Sequence, residues 1–168
     1  MNIHVKTLLT LVVLGVLLLA GVAWGWASLT EPFPHQAAPQ ACYPTDLRPG
    51  DRVSAPKVTV SVYNASERVG LAERTMSAFE DQGFGSGDVG NAPKDAEVLY
   101  AQIWTQDRHN PAVRLVASRL GPHAHIITHK AKGPGVTVLV GPQFTKLVQG
   151  KQSTKVTEAT SICSPPTA

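Results

Sequence analysis

Between Lys6 and Glu31 the chain carries no charged side chain, and residues 7–27 are a near-continuous apolar run of Leu, Val, Ala and Gly. About 20 such residues are enough to cross the hydrocarbon core of a bilayer as a helix. Whatever follows must then work at a membrane or beyond it. A cleaved signal peptide is the rival reading, but it calls for an apolar core of roughly 7–15 residues ending in a small-x-small site. Here the run is longer, and the candidate site Gly25-Trp26-Ala27 has a bulky middle residue. Trp24 and Trp26 suit the far membrane interface, where indole rings straddle apolar and polar zones. We read residues 7–29 as an uncleaved transmembrane signal anchor. Lys6 is the only fixed side-chain charge ahead of it, and Glu31 and Asp46 precede the next basic residue, Arg48. The positive-inside bias puts residues 1–6 in the cytoplasm and the remainder outside the cell membrane.

The two cysteines agree with that orientation. Cys42 lies ahead of the regular part of the sequence and Cys163 behind it. A bridge between them ties the ends of the domain together and persists only in an oxidising compartment. Two unpaired thiols in tails are the alternative; pairing suits an exported chain with no other cysteine.

Beyond Lys6 the 14 remaining Lys and Arg stand against 12 Asp and Glu, a balance of +2. These charges are dispersed, so the composition gives no footing for nucleic acid. Residues 30–56 are punctuated by Pro32, Pro34, Pro39, Pro44, Pro49 and Pro56. Such spacing excludes a regular helix and predicts an extended stalk.

From residue 57 the pattern becomes regular. Val58, Val60 and Val62 alternate with Thr59, Ser61 and Tyr63, the period of a half-buried strand. Leu71, Ala72, Thr75, Met76 and Phe79 follow helical spacing, stopped by Gly83. Residues 84–91 predict a short irregular strand and residues 97–104 a second clear one. Asn110 and Pro111 form a helix entry. Ala112, Val113, Leu115, Val116 and Leu120 supply that helix's apolar face. Residues 123–129 and 136–140 are strand-like, and the tail from 145 to 168 returns toward the stalk near Cys163. The order strand, helix, strand, strand, helix, strand, strand predicts an α/β (α+β) two-layer sandwich. Its mixed β-sheet carries both helices on one face and follows the single transmembrane helix.

Three pieces of this region resemble the LytR C-terminal domain family of actinobacterial envelope proteins. They are the strand and loop from Val58 through Asn64-Ala-Ser66 to Gly70-Leu-Ala72; the helix exit Gly83-Phe84 with Val89-Gly-Asn-Ala92; and Val136-Thr-Val-Leu-Val-Gly141-Pro-Gln-Phe144. The resemblance covers residues 57–144. The family carries Leu-Asn-Gly where this chain has Tyr63-Asn64-Ala65. It implies an envelope-associated, non-catalytic module, with a cell-wall glycopolymer or envelope proteins as partners.

Residues that could carry chemistry are few. His123, His125 and His129 share strand parity, and His-x-His is a metal spacing, but closed zinc sites need four ligands and no obvious carboxylate accompanies these. No Ser or Cys sits in a nucleophile elbow. Residues 83–90 are glycine-rich, yet they follow a helix and lack the Lys-Ser/Thr ending of a phosphate loop. We therefore expect no enzyme activity, no resident metal and no cofactor. A wall hydrolase or metal-dependent enzyme built on the three histidines is the alternative. The candidate binding site is the first loop, Asn64, Ser66, Arg68 and Gly70, between a strand end and a helix start. Amides at a helix start attract anionic or hydroxyl-rich ligands, and Arg68 adds a fork of donors. Asn91 is expected on the same rim. The other reading of Asn64 is a turn residue satisfying its own backbone. A homo-oligomer paired through an exposed edge strand is a further expectation.

Overall fold

The computed structural model describes residues 3–30 and 42–166. Two units, Met1–Pro39 and Gln40–Ala168, make up the chain.

In the first unit α1 runs over Ile3–Thr30. Leu9, Leu11, Leu14, Leu18 and Trp24 all stand exposed along it, so it is apolar on every side, unlike a helix that lies on a globular core. Side chains are described for residues 9, 11–22 and 24. Among the described residues no helix is long and apolar enough to cross a membrane. The remainder of the predicted anchor, and residues 31–41 of the predicted stalk, lie outside the residues so described.

The second unit starts earlier than its sequence pattern. β1 (Tyr43–Leu47) and β2 (Arg52–Ser54) lie inside the span read as stalk. A single 3-10 turn leads to β3 (Thr59–Asn64), then α2 (Leu71–Asp81), β4 (Gly85–Asn91), β5 (Ala101–Thr105) and α3 (Pro111–Leu120). β6 (Ala124–Thr128), β7 (Val136–Val140), β8 (Ser153–Lys155) and β9 (Thr160–Ser164) complete it. β1 pairs antiparallel with β9, and β2 with β8. Residues 43–54 are therefore part of the folded domain, with Leu47, Val53 and Ala55 in its core. The prolines mislead because a two-stranded edge tolerates them, and Pro44 sits opposite Cys163 there. Pro49-Gly50 makes the turn between β1 and β2, with Gly50 at φ 101°.

The central sheet has five strands in the order β4-β3-β7-β5-β6. β3 runs parallel to β4 and β7, β5 runs parallel to β6, and β5 meets β7 antiparallel. Each helix thus bridges a parallel neighbouring pair, and the last strand closes the middle. Asn110 caps α3, its side-chain oxygen accepting from the Ala112 amide at 3.0 Å. Gly83, at φ 83°, ends α2 and donates to the Glu80 carbonyl at 2.8 Å.

Both helices cover one face of the sheet, as expected. Val58, Val60, Val62, Ile103, Val138 and Val140 pack there with Phe79, Leu115, Val116 and Phe144. The opposite face departs from the half-buried pattern. Tyr63, Val98, Trp104 and Leu139 form a second cluster, joined by Ala92, Ala96 and Ile127. Loop segments, not helices, cover this face, so Thr59, Ser61 and Thr137 are buried as well. Buried hydroxyls need partners. Ser61 donates to the Pro134 carbonyl at 2.6 Å and accepts from the Asp88 amide at 3.0 Å. Tyr63 donates to the Asp88 carboxylate at 3.4 Å. Burial, and then the Asp88 charge, push the Tyr63 hydroxyl above the ordinary tyrosine pKa of 10.0. Thr59 Oγ1 has no partner among the described residues.

Candidate functional site

Because β3, β4 and β7 are parallel, their carboxyl ends meet on one rim. Asn64 is in register with Asn91 on one side and with Val140 on the other. The topology thus brings Asn91 beside the first loop, as the sequence predicts. What the loop's side chains do there is internal. Asn64 donates its amide to the Arg68 carbonyl at 2.7 Å, and its oxygen accepts from the Ser66 amide at 2.9 Å and the Ser66 hydroxyl at 2.8 Å. Ser66 Oγ accepts in turn from the Arg68 amide at 3.2 Å. One arm of the Arg68 guanidinium donates to the carbonyls of Phe144 (2.6 Å) and Pro142 (3.2 Å). Gly70 enters α2 at φ 70°, the left-handed backbone that glycine tolerates. Arg74 reaches back to the Val69 carbonyl at 2.9 Å. The Asn91 carbonyl accepts from Lys132 Nζ at 2.8 Å.

The three histidines do not converge. His125 is exposed on β6. His123, just before that strand, meets the Tyr100 ring at 5.5 Å. His129 lies over Trp104, ring centroids 3.9 Å apart, and its Nδ1 is 3.0 Å from the Lys130 carbonyl oxygen. Among the described residues no group of three His, Cys, Asp or Glu is placed to hold a metal. The glycine-rich stretch is the outer strand β4, not a phosphate loop. The other outer strand, β6, gives its Ile126 carbonyl to Arg108 at 2.6 Å.

Cys42 and Cys163 form a disulfide, Cα atoms 5.3 Å apart, at the end of the β1–β9 ladder.

Among the described residues several clefts open; a small one borders the first loop, between Arg68, Arg74 and Lys146, and two others are larger. One, of about 590 Å³, lies at the start of α3 between the end of β5 and the β9 segment, with Trp104, Asn110, Lys130 and Ile162 on its walls. The other, of about 390 Å³, lies at the amino-terminal ends of β5 and β6 and is walled by Glu97, Tyr100, Gln102, His123, His125 and Gln143. Glu97, Gln102 and Gln143 have no signal in the sequence. They come together only because β5 and β6 pair with Gln102 opposite His125, and because the chain after β7 bonds back, Gln143 amide to Leu99 carbonyl at 3.0 Å.

Fold and crosslink define the class: a small mixed α+β domain, closed by a disulfide, of the kind made in an oxidising compartment. A family model described as LytR cell envelope-related transcriptional attenuator matches residues 57–144, more than half of the chain. The chain belongs to this LytR C-terminal domain family. Among solved structures it is similar to the soluble domain of a conserved hypothetical secreted protein from Mycobacterium marinum. That likeness is at 24% identity with a TM-score of 0.49, over 61% of this chain and 78% of that one. No curated protein matches.

Proposed function

We propose that this protein is a membrane-anchored, extracytoplasmic module that contributes to cell-envelope integrity by binding a wall component or another envelope protein, without performing chemistry on it. The observation that carries the reading is the Cys42–Cys163 crosslink in a member of a cell-envelope family. A disulfide persists where the cytosolic reducing systems do not reach, and the apolar leader supplies the means of staying at the membrane. In this proposal residues 7–29 span the bilayer and residues 1–6 are cytoplasmic. The order of anchor, proline-rich leader and bridged domain resembles the mycobacterial-type envelope integrity proteins called Cei, and we propose that kinship for this chain.

The rim of Asn64, Ser66, Arg68, Gly70 and Asn91 serves this module as framework. The polar groups of Asn64 and Ser66 close the loop, and Arg68 ties it to the segment after β7.

Deletion of the gene tests the role: raised sensitivity to wall-active antibiotics and detergents is expected, and unchanged sensitivity would overturn it. A periplasm-dependent reporter fused after residue 168 tests the topology. It is expected to be active, and a reporter active only in the cytosol would refute the proposed orientation.

A further inference from the structure

The cleft at the start of β5 and β6 differs from the rim in one respect: its polar side chains are unspent. The Glu97 carboxylate, the Tyr100 hydroxyl, the His123 and His125 imidazoles and the Gln143 amide all border it, and none makes a side-chain hydrogen bond among the described residues. Gln102 alone is committed, donating to the Glu97 carbonyl at 2.9 Å and accepting from the Trp104 indole at 3.2 Å. The walls are firm. The Tyr100 ring is held edge-on by Phe144 at 5.3 Å and by His123 at 5.5 Å. Gly141 lets the chain after β7 close on the Val98–Leu99 backbone, where any Cβ would collide. A pre-formed concavity with a few convergent polar groups is the usual form of a small-ligand site.

The chemistry of the walls selects the ligand. No Lys or Arg borders the cleft, so an anion finds no fixed counter-charge. One carboxylate is too little for a hard cation, which takes six or more oxygen ligands, and the two imidazoles and Glu97 are not placed together to hold a softer one among the described residues. Leu99 and Ala101 are the only aliphatic residues on the walls, too few for a lipid chain. What matches is a neutral ligand with many hydroxyls. Amide and phenol supply both donors and acceptors, the carboxylate accepts, and aromatic edges border the site. We propose that this cleft binds a neutral saccharide of the cell wall. The inference rests on the envelope reading above and names where its wall contact is made.

The test uses the full chain in detergent, sedimented with protein-stripped wall sacculi from the cell that makes it. Retention of the wild type is expected. His125→Ala with Gln143→Ala should weaken it at least tenfold while leaving the melting curve unchanged, both residues being exposed. Tyr100→Phe should weaken it less. Neutral polysaccharide released from the same walls, added in excess, should compete the protein off the sacculi, and a chelator should not change retention. Retention equal in wild type and variants would overturn the cleft assignment while leaving the envelope role to the deletion test. Retention that survives excess neutral polysaccharide would overturn the saccharide, and retention lost to the chelator would show a metal bridge in its place. No retention of the wild type would overturn the inference outright.

Discussion

The side-chain amide of Asn64 donates to the carbonyl oxygen of Arg68 at 2.7 Å, while the same residue's oxygen accepts twice from Ser66. One asparagine therefore satisfies three groups of the loop that leads from β3 into α2. Asn64→Ala removes all three bonds and should lower unfolding stability by about 2 kcal/mol, at the usual net worth of such bonds. Asn64→Asp keeps the acceptor of two bonds and loses the donor of one, so roughly a third of that loss is expected. Denaturant titration of both variants checks the ranking, which reverses if the loop is held by something else.

The crosslink offers a larger effect. Cys42 and Cys163 are 121 residues apart in sequence. Closing a loop of that length restricts the unfolded chain by about 4–5 kcal/mol in the entropic model. Cys163→Ser should cost a comparable amount. Reductant should destabilise the wild type and leave the variant where it is, since the bond is already gone. Denaturation with and without dithiothreitol measures both.

Tyr63 makes a prediction in pH. Its hydroxyl titrates higher in the folded domain than the ordinary value of 10.0, through burial and the neighbouring Asp88. Below pH 10 the phenol is neutral in both states and favours neither. As pH rises past 10 the unfolded chain loses this proton first, and stability falls until the folded phenol ionises too. Tyr63→Phe should show a shallower alkaline decline than the wild type in melts taken across pH 9–12. A slope identical in both would remove Tyr63 as the cause.

Gly135 stands at φ 70° against the backbone of Thr59. A side chain in that conformation costs about 1–2 kcal/mol before any contact is considered, and here the added Cβ meets the Thr59 carbonyl. Gly135→Ala should therefore lower stability by at least about 2 kcal/mol. Gly50→Ala shares the positive φ but meets nothing, so it should cost less. Thermal melts of the two variants separate backbone strain from the close approach.

The element order was readable because the relevant signals are local. Val58, Val60 and Val62 announce a strand by their alternation, and Asn110-Pro111 announces a helix start, without knowledge of any partner. The limits of the domain were not readable. Pro44 and Pro49 look like stalk until β9 is known to lie beside them, and the residues of β8 and β9 have no periodicity of their own. Residues 97–104 read as one strand, but β5 begins at Ala101. Tyr100 packs toward the helices while Trp104 packs on the far face. At the rim, spacing identified Asn64, Ser66 and Arg68 as neighbours. It could not reveal that one arm of Arg68 meets the Pro142 and Phe144 carbonyls, because those residues arrive from the other end of the domain.

The sulfur–sulfur bond also has a mechanical meaning. A pull applied to the chain ahead of Cys42 and behind Cys163 passes through the crosslink, leaving the strands and helices between them out of the line of tension. Such a pull stretches the two flanking segments without unravelling the domain they enclose.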